Sequence, residues 1–216
     1  MLRITGGEFR GSLVRTPAGT GVTRPTQARL RQALFNSIQS WIPGARVLDL
    51  FSGSGALAFE ALSRGAAHAV CVENHRQVIS VLDRNCDDLK LKRRVRILTL
   101  PVEQAWSRIV SEGPYDVVLA DPPYAAGWEL RLLEEAPWRE LLSADAVVCL
   151  EWGSKKSESK ELPDQVDGGF LVKIREKLYA ESILTTYRHS ESGGYSEKSS
   201  EASQDESEES LSEDFE

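Results

Sequence analysis

The sequence predicts an α/β fold: a mostly parallel sheet, an antiparallel pair at its C-terminal edge, and a small β-hairpin ahead of it. Three observations predict this. Five short apolar runs at 46–50, 69–72, 95–100, 117–120 and 146–150 alternate with helical stretches near 57–63, 78–89, 102–111 and 130–142. Runs apolar on both faces and separated by helices suit βαβ units in a parallel sheet. After Pro163 two strand-like runs, 170–174 and 182–187, follow one another through a turn-bearing segment and so read as an antiparallel edge pair. The opening 23 residues are Gly-rich, with short alternating stretches such as Leu2-Arg3-Ile4 and Ser12-Leu13-Val14-Arg15, and suit a hairpin arm too poor in apolar residues for a core of its own.

Between arm and sheet, Leu30, Leu34, Ile38 and Trp41 recur at helical spacing. Thr26 is the expected N-cap and Pro43-Gly44 the stop. The sequence thus divides into an arm over 1–25, a catalytic domain over 26–188 and an acidic tail over 189–216. The tail holds ten acids against Lys198 alone. With almost no apolar content it cannot offset its ordering entropy and is expected to be disordered.

Charge is distributed unevenly. The net −7 of the 216 residues comprises −9 in the tail and +2 elsewhere, and the first 31 residues carry six arginines (Arg3, Arg10, Arg15, Arg24, Arg29, Arg31) against Glu8 alone. An acidic total argues against a polyphosphate partner, but an arginine head permits one. A second basic cluster, Lys90, Lys92, Arg93, Arg94 and Arg96, sits where a helix ends and is assigned to the helix dipole. Cys71, Cys86 and Cys149 show no metal or disulfide spacing, and Cys71 and Cys149 fall within strands as small core residues. His68, His75 and His189 have no partner spacing. No apolar run approaches the ~18 residues of a membrane span, and no signal segment opens the chain, so a cytoplasmic, metal-free protein is expected.

The chemistry concentrates at three strand ends. Asp49-Leu50-Phe51-Ser52-Gly53-Ser54-Gly55 links a buried strand to a helix through small residues, letting backbone N–H groups approach a ligand. Gly53-x-Gly55-x-x-Ala58 also satisfies a dinucleotide pattern, so the glycines alone leave NAD open. Asp49, four residues earlier, repels a pyrophosphate and suits the ammonium of S-adenosylmethionine. Glu73, 20 residues beyond Gly53, ends the next strand, where a carboxylate accepts bonds from ribose hydroxyls or, equally, meets a helix N-terminus. Asp121-Pro122-Pro123-Tyr124 follows the strand at 117–120 and makes a rigid acceptor turn. Asp121 and the Pro122 carbonyl can take the two N–H bonds of a planar amine, aiming its lone pair at a sulfonium methyl, with Tyr124 stacked on the ring. Glu151-Trp152 ends the neighbouring strand at the same edge, whereas Trp128 and Trp138 read as packing residues.

Arg3-Ile4-Thr5-Gly6-Gly7 with Arg10-Gly11, Arg24-Pro25-Thr26, Leu34-Phe35-Asn36, the stretch from Leu48 to Leu57 with Glu60 to Ala66, and Asp121-Pro122-Pro123-Tyr124 together resemble the bacterial family of 16S rRNA (guanine(966)-N(2))-methyltransferases. The resemblance runs from Met1 to about Tyr187. The arginine-rich opening with Arg-Pro-Thr is its more specific part. It implies a seven-stranded, Rossmann-like class I methyltransferase domain with a hairpin extension that helps hold rRNA. It further implies methyl transfer from S-adenosylmethionine to the N2 amine of a small-subunit guanine. By motif, Asp49, Phe51, Ser52, Gly53, Ser54 and Gly55 would hold the methionine portion, Glu73 the ribose, and Asp121, Pro122, Pro123 and Tyr124 the target base. Arg3, Arg10, Arg15, Arg24 and Thr26 would face the RNA. The family's usual Asp after the third strand is absent, leaving Glu103 or the Val102 backbone for the adenine. Partners so implied are 16S rRNA or a 30S assembly intermediate, met by a monomer. Another amino-group methyltransferase, acting on adenine N6 or glutamine N5, is the alternative; a methyltransferase-like RNA-binding scaffold and a dehydrogenase lie further off.

Overall fold

The structure, a computed structural model, describes residues 1–17, 25–123, 127–153 and 161–190. The acidic tail beyond Ser190 lies outside the described residues, as do Arg24 and Tyr124.

The chain opens with β1 (Leu2–Arg3) and β2 (Leu13–Val14), paired antiparallel as a hairpin. Then come α1 (Pro25–Ser37), β3 (Arg46–Leu50), α2 (Ala56–Ser63), β4 (His68–Val72), α3 (Arg76–Asp88), β5 (Val95–Leu98), α4 (Val102–Glu112) and β6 (Tyr115–Ala120). The chain continues through α5 (Trp128–Glu135), α6 (Trp138–Leu141), β7 (Leu142–Gly153), β8 (Gln165–Val166), β9 (Leu171–Tyr179) and β10 (Ser182–His189). The large sheet runs β5-β4-β3-β6-β7-β10-β9-β8, parallel from β5 to β7 and antiparallel beyond.

Alternation along each parallel strand builds two cores. Leu48, Leu50, Val70, Val72, Val118 and Ala120 face Val102, Ala105, Ile109, Leu132 and Trp138 of α4 to α6. Val47, Cys71, Val117, Leu119 and Cys149 face Leu34, Phe35, Ala58, Phe59 and Leu82 of α1 to α3. Cys71 and Cys149 are buried, as strand residues of the second core should be.

Four departures from expectation have local causes. The large sheet has eight strands rather than seven; β8 is two residues long and shows no periodicity in sequence. The helix expected over 130–142 breaks between α5 and α6 because Pro137 forces Ala136 into extended backbone, and Leu142 already belongs to β7. Thr26 is not an N-cap: α1 begins one residue earlier at Pro25, where a missing N–H is harmless. β10 continues through buried His189, one residue into the expected tail.

The hairpin arm is packed on the body. Ile4 and Val14 are buried in the second core. Thr5 donates from its N–H (2.8 Å) and hydroxyl (2.6 Å) to the two oxygens of the buried Glu60 carboxylate on α2. At Gly7, which has φ +77°, a Cβ would lie 1.8 Å from the Ser63 carbonyl oxygen, so only glycine lets the arm pass this close to the end of α2. Arg94 donates to the Leu62 and Ala66 carbonyls at that same end, while Lys92 pairs with Asp83 and Asp87 and Arg96 with Glu112. Of the second basic cluster, Arg94 thus caps the end of α2 rather than that of α3, and Lys92 and Arg96 are held in surface ion pairs.

Candidate functional site

β3 and β6 are neighbours, while the connections leaving them run to opposite sides of the sheet. A crevice opens at their carboxyl ends, where open α/β sheets bind ligands. The register Leu50↔Ala120 brings the loop after β3 beside Asp121.

Three residues of that loop take left-handed backbone: Phe51 (φ +60°), Gly53 (φ +54°) and Gly55 (φ +83°). The Ser52 N–H donates to the Val72 carbonyl at 3.0 Å and its hydroxyl to the Asp49 carbonyl at 2.6 Å, pinning the loop between strands. Gly55 has a packing role. A Cβ there would meet Leu82 at 2.4 Å and Phe59 at 2.6 Å, so the glycine admits the start of α2 to the core.

Asp49 is buried. Its Oδ2 accepts the Ala58 N–H at 3.1 Å in the first turn of α2, and its Oδ1 has no partner among the described residues. Burial pushes its pKa up to about 7; the Ala58 N–H opposes that rise and the Glu73 carboxylate adds to it. Glu73 at the tip of β4 accepts the Gly53 N–H at 3.0 Å through Oε2, and the Asn74 and His75 N–H groups through Oε1.

Two adjoining cavities share Phe51, Glu73 and Asp121. The first, about 410 Å³, holds Asp49, Ser52, Gly53, Ser54 and Glu151 on one side and is walled by Leu2, Thr16 and Pro17 of the arm with Gln27, Leu30, Arg31 and Leu34 of α1. The second, about 380 Å³, is lined by Leu100, Val102, Glu103, Pro123 and Trp128. Trp128 packs edge-on against Phe51 at 5.0 Å between ring centroids. Asp121 is open to the cavities yet walled by protein, which raises its pKa well above the carboxylate range, with the Glu151 and Asp49 charges adding.

The structure therefore brings together Asp49, Phe51, Ser52, Gly53, Ser54, Glu73, Val102, Glu103, Asp121 and Pro123. Pro122 is buried beside them, Gly55 turns into the core, and Tyr124 lies outside the described residues. Of the residues expected to face RNA, Arg3, Arg10 and Arg15 lie on the hairpin arm and Arg24 lies outside the described residues. Arg10 is exposed; Arg3 donates to the Gly11 carbonyl; Arg15 ion-pairs with Asp88 at 2.8 Å. Of Thr26 the structure describes only a backbone position within α1. Arg31, one of the six head arginines, is buried against Glu60. Sequence reasoning missed Arg31, Trp128 and the arm residues Thr16 and Pro17 as cavity walls. For Arg31 a signal existed: it shares the spacing i, i+4, i+7 with Phe35 and Ile38, which places it on the buried stripe of α1.

Four carboxylates around one cavity repel a pyrophosphate and suit a cationic ligand, and the orphaned Asp49 Oδ1 is an acceptor buried at the loop that would hold it. Fold and site together define an S-adenosylmethionine-dependent methyltransferase. The chain belongs to the family described as Conserved hypothetical protein 95, whose model matches residues 2–188. It is 38% identical over 154 residues to ribosomal RNA small subunit methyltransferase D of Escherichia coli (strain K12), covering 69% of this chain and 74% of that protein. It is also 30% identical over 188 residues to YlbH of Bacillus subtilis (strain 168), covering 87% and 98%. The solved structure of yhhF from Escherichia coli superposes with a TM-score of 0.69 at 34% identity, covering 87% of this chain and 97% of that one.

Proposed function

We propose that this enzyme methylates the exocyclic N2 amine of a guanine in 16S rRNA. The observation that carries the reading is the placement of Asp121, at the tip of β6, across the crevice from the Asp49 to Ser54 loop. Identity to a protein named ribosomal RNA small subunit methyltransferase D supports the substrate. When bound, S-adenosylmethionine supplies an electrophilic methyl group. Asp49 and the loop after β3 would hold its methionine end, Glu73 the ribose, and the Val102, Glu103 and Trp128 cavity the adenine.

The chain's own work is to position the amine. Asp121 and the Pro122 carbonyl accept its N–H bonds and direct the nitrogen lone pair at the methyl. The N–CH3 bond forms as the S–CH3 bond breaks, with the electron pair remaining on sulfur. Asp121, which lines the cavity beside Glu151, takes the proton that the nitrogen then loses. The rRNA is met in the cytoplasm, free or in a 30S assembly intermediate, by a monomer. Among the described residues the large exposed apolar side chains are Met1, Leu13, Ile174 and Leu178, confined to the hairpin and β9, which supports the last point.

Mass-spectrometric mapping of 16S rRNA from cells lacking the gene tests the reading. Loss of one N2-methylguanine, restored by the wild-type gene and not by Asp121→Ala, is the expected result. Unchanged rRNA, or loss of an adenine N6 or glutamine N5 methyl group instead, overturns it.

A further inference from the structure

β10 leaves the sheet at the end remote from the donor crevice. Arg188 pairs with Val147, and the register continues through Val117, Val47, Ala69 and Val95, so β10 ends level with the starts of β3, β4 and β5. The same end carries basic residues that the fold leaves unpaired.

Two segments meet there at the C-terminal end of α2. The hairpin tip is bound by the Glu8 N–H to the Ser63 carbonyl at 2.7 Å and by the Phe9 N–H to the Ser63 hydroxyl at 2.9 Å. The turn between α3 and β5 is bound by Arg94, which donates to the Leu62 and Ala66 carbonyls. Arg10 stands exposed on the first segment, Lys90 and Arg93 on the second, and none of the three has an ion pair among the described residues. The acids around them are taken: Asp83 and Asp87 by Lys92, Asp88 by Arg15, Glu60 by Arg31 and Arg64, and Glu112 by Arg46 and Arg96.

We propose that residues 205–216 of the acidic tail dock on this patch and hold it against RNA. Between Asp205 and Glu216 the sequence has seven acids and no base, the complement of Arg10, Lys90 and Arg93. The tether suits the span. From β10 to β5 the sheet crosses five strand spacings, ~24 Å. Positions 205–216 lie 15 to 26 residues beyond Ser190, and a flexible chain of that length extends ~21–28 Å. Such a match is where a tethered group reaches its highest effective concentration. Carboxylates and phosphates compete for the same cations, so a docked tail lowers RNA affinity without touching the donor pocket at the opposite end. The docking itself needs no RNA; its effect as a competitor rests on the rRNA reading.

Two measurements test this on the full chain. The three cysteines are buried, so a nitroxide on Ser212→Cys labels the tail selectively. Amide signals of residues 8–11 and 90–94 are expected to broaden at low salt and to recover at ~0.5 M salt, where exposed charges are screened. No broadening, or broadening confined to other surfaces, overturns the proposal. The second measurement reads the competition. Changing the seven acids to Asn and Gln is expected to tighten binding of a 16S rRNA fragment by ~10-fold at low salt, and the gain to vanish when Lys90→Gln and Arg93→Gln are also present. Absence of a gain overturns the proposal, as does a gain that survives those two changes, since the tail then repels RNA without docking. Failure of every variant to bind RNA overturns the rRNA reading and the competition with it, while the nitroxide result still decides the docking.

Discussion

The Gly53 N–H donates to Glu73 Oε2 at 3.0 Å, so the loop after β3 is tied to the tip of β4 by the carboxylate that also faces the ligand cavities. The same side chain accepts two further N–H groups where α3 begins. Glu73 thus serves both roles that the sequence left open, helix-end acceptor and cavity carboxylate. Glu73→Ala should weaken S-adenosylhomocysteine binding by ~10-fold or more and lower the melting temperature, since three N–H groups lose an acceptor. Calorimetry and thermal melts check both effects; a variant with wild-type affinity would remove Glu73 from the site.

Asp49 links function to pH. Its folded pKa, about 7, lies above the ~3.9 of an unfolded Asp. The folded chain therefore keeps a proton that the unfolded chain releases. This contribution to stability is complete below pH ~4 and is lost as pH rises toward 7. Asp49→Asn cannot ionise, so it should lose less stability between pH 5 and pH 8 than wild type and be the more stable of the two by up to about 4 kcal/mol at pH 8. Its affinity for S-adenosylmethionine at that pH should fall by at least ~10-fold. Denaturant unfolding at the two pH values and one titration decide both points.

Gly55→Ala should destabilise the fold by about 2–4 kcal/mol, because the new Cβ meets Leu82 and Phe59 within 2.6 Å and sits at φ +83°. Gly53→Ala, whose Cβ would meet nothing closer than 4.0 Å, should cost only about 1 kcal/mol, the strain of a positive φ. Unfolding curves of the pair separate a glycine needed for packing from one needed for backbone shape.

The arm arginines should differ in their effects. Arg10→Ala should reduce the salt dependence of rRNA binding by about one phosphate's worth and leave the melting temperature unchanged. Arg15→Ala should have a smaller effect on the slope, since its guanidinium is shared with Asp88. Filter binding across a salt series reads both, and identical slopes would show that pairing with Asp88 does not withhold Arg15 from RNA.

Much of this fold is legible in the sequence because β3, β4, β6 and the middle of β7 are buried on both faces and leave short apolar runs between helices. The acceptor turn and glycine loop are legible because Pro122, Pro123, Gly53 and Gly55 restrict or free the backbone in ways few other residues can. What escapes is whatever depends on tertiary placement. Nothing in Gln165-Val166 announces a strand; pairing with Leu171 and Val172 makes it one. Charge counting grouped Arg31 with the other head arginines, yet its position on the buried stripe of α1 takes it to Glu60. Glu60 shows the same limit: in sequence it is one acid on a helix, and in the fold it gathers Thr5, Arg31 and Arg64.

Asn85 of α3 donates through Nδ2 to the carbonyls of both Arg15 and Ser54 and accepts the Arg15 N–H, which joins β2 directly to the loop after Asp49. A single amide thus makes the hairpin and the donor pocket mechanically one body. Any free energy by which a ligand on the hairpin alters donor affinity must, by thermodynamic reciprocity, be returned by the donor to that ligand's binding.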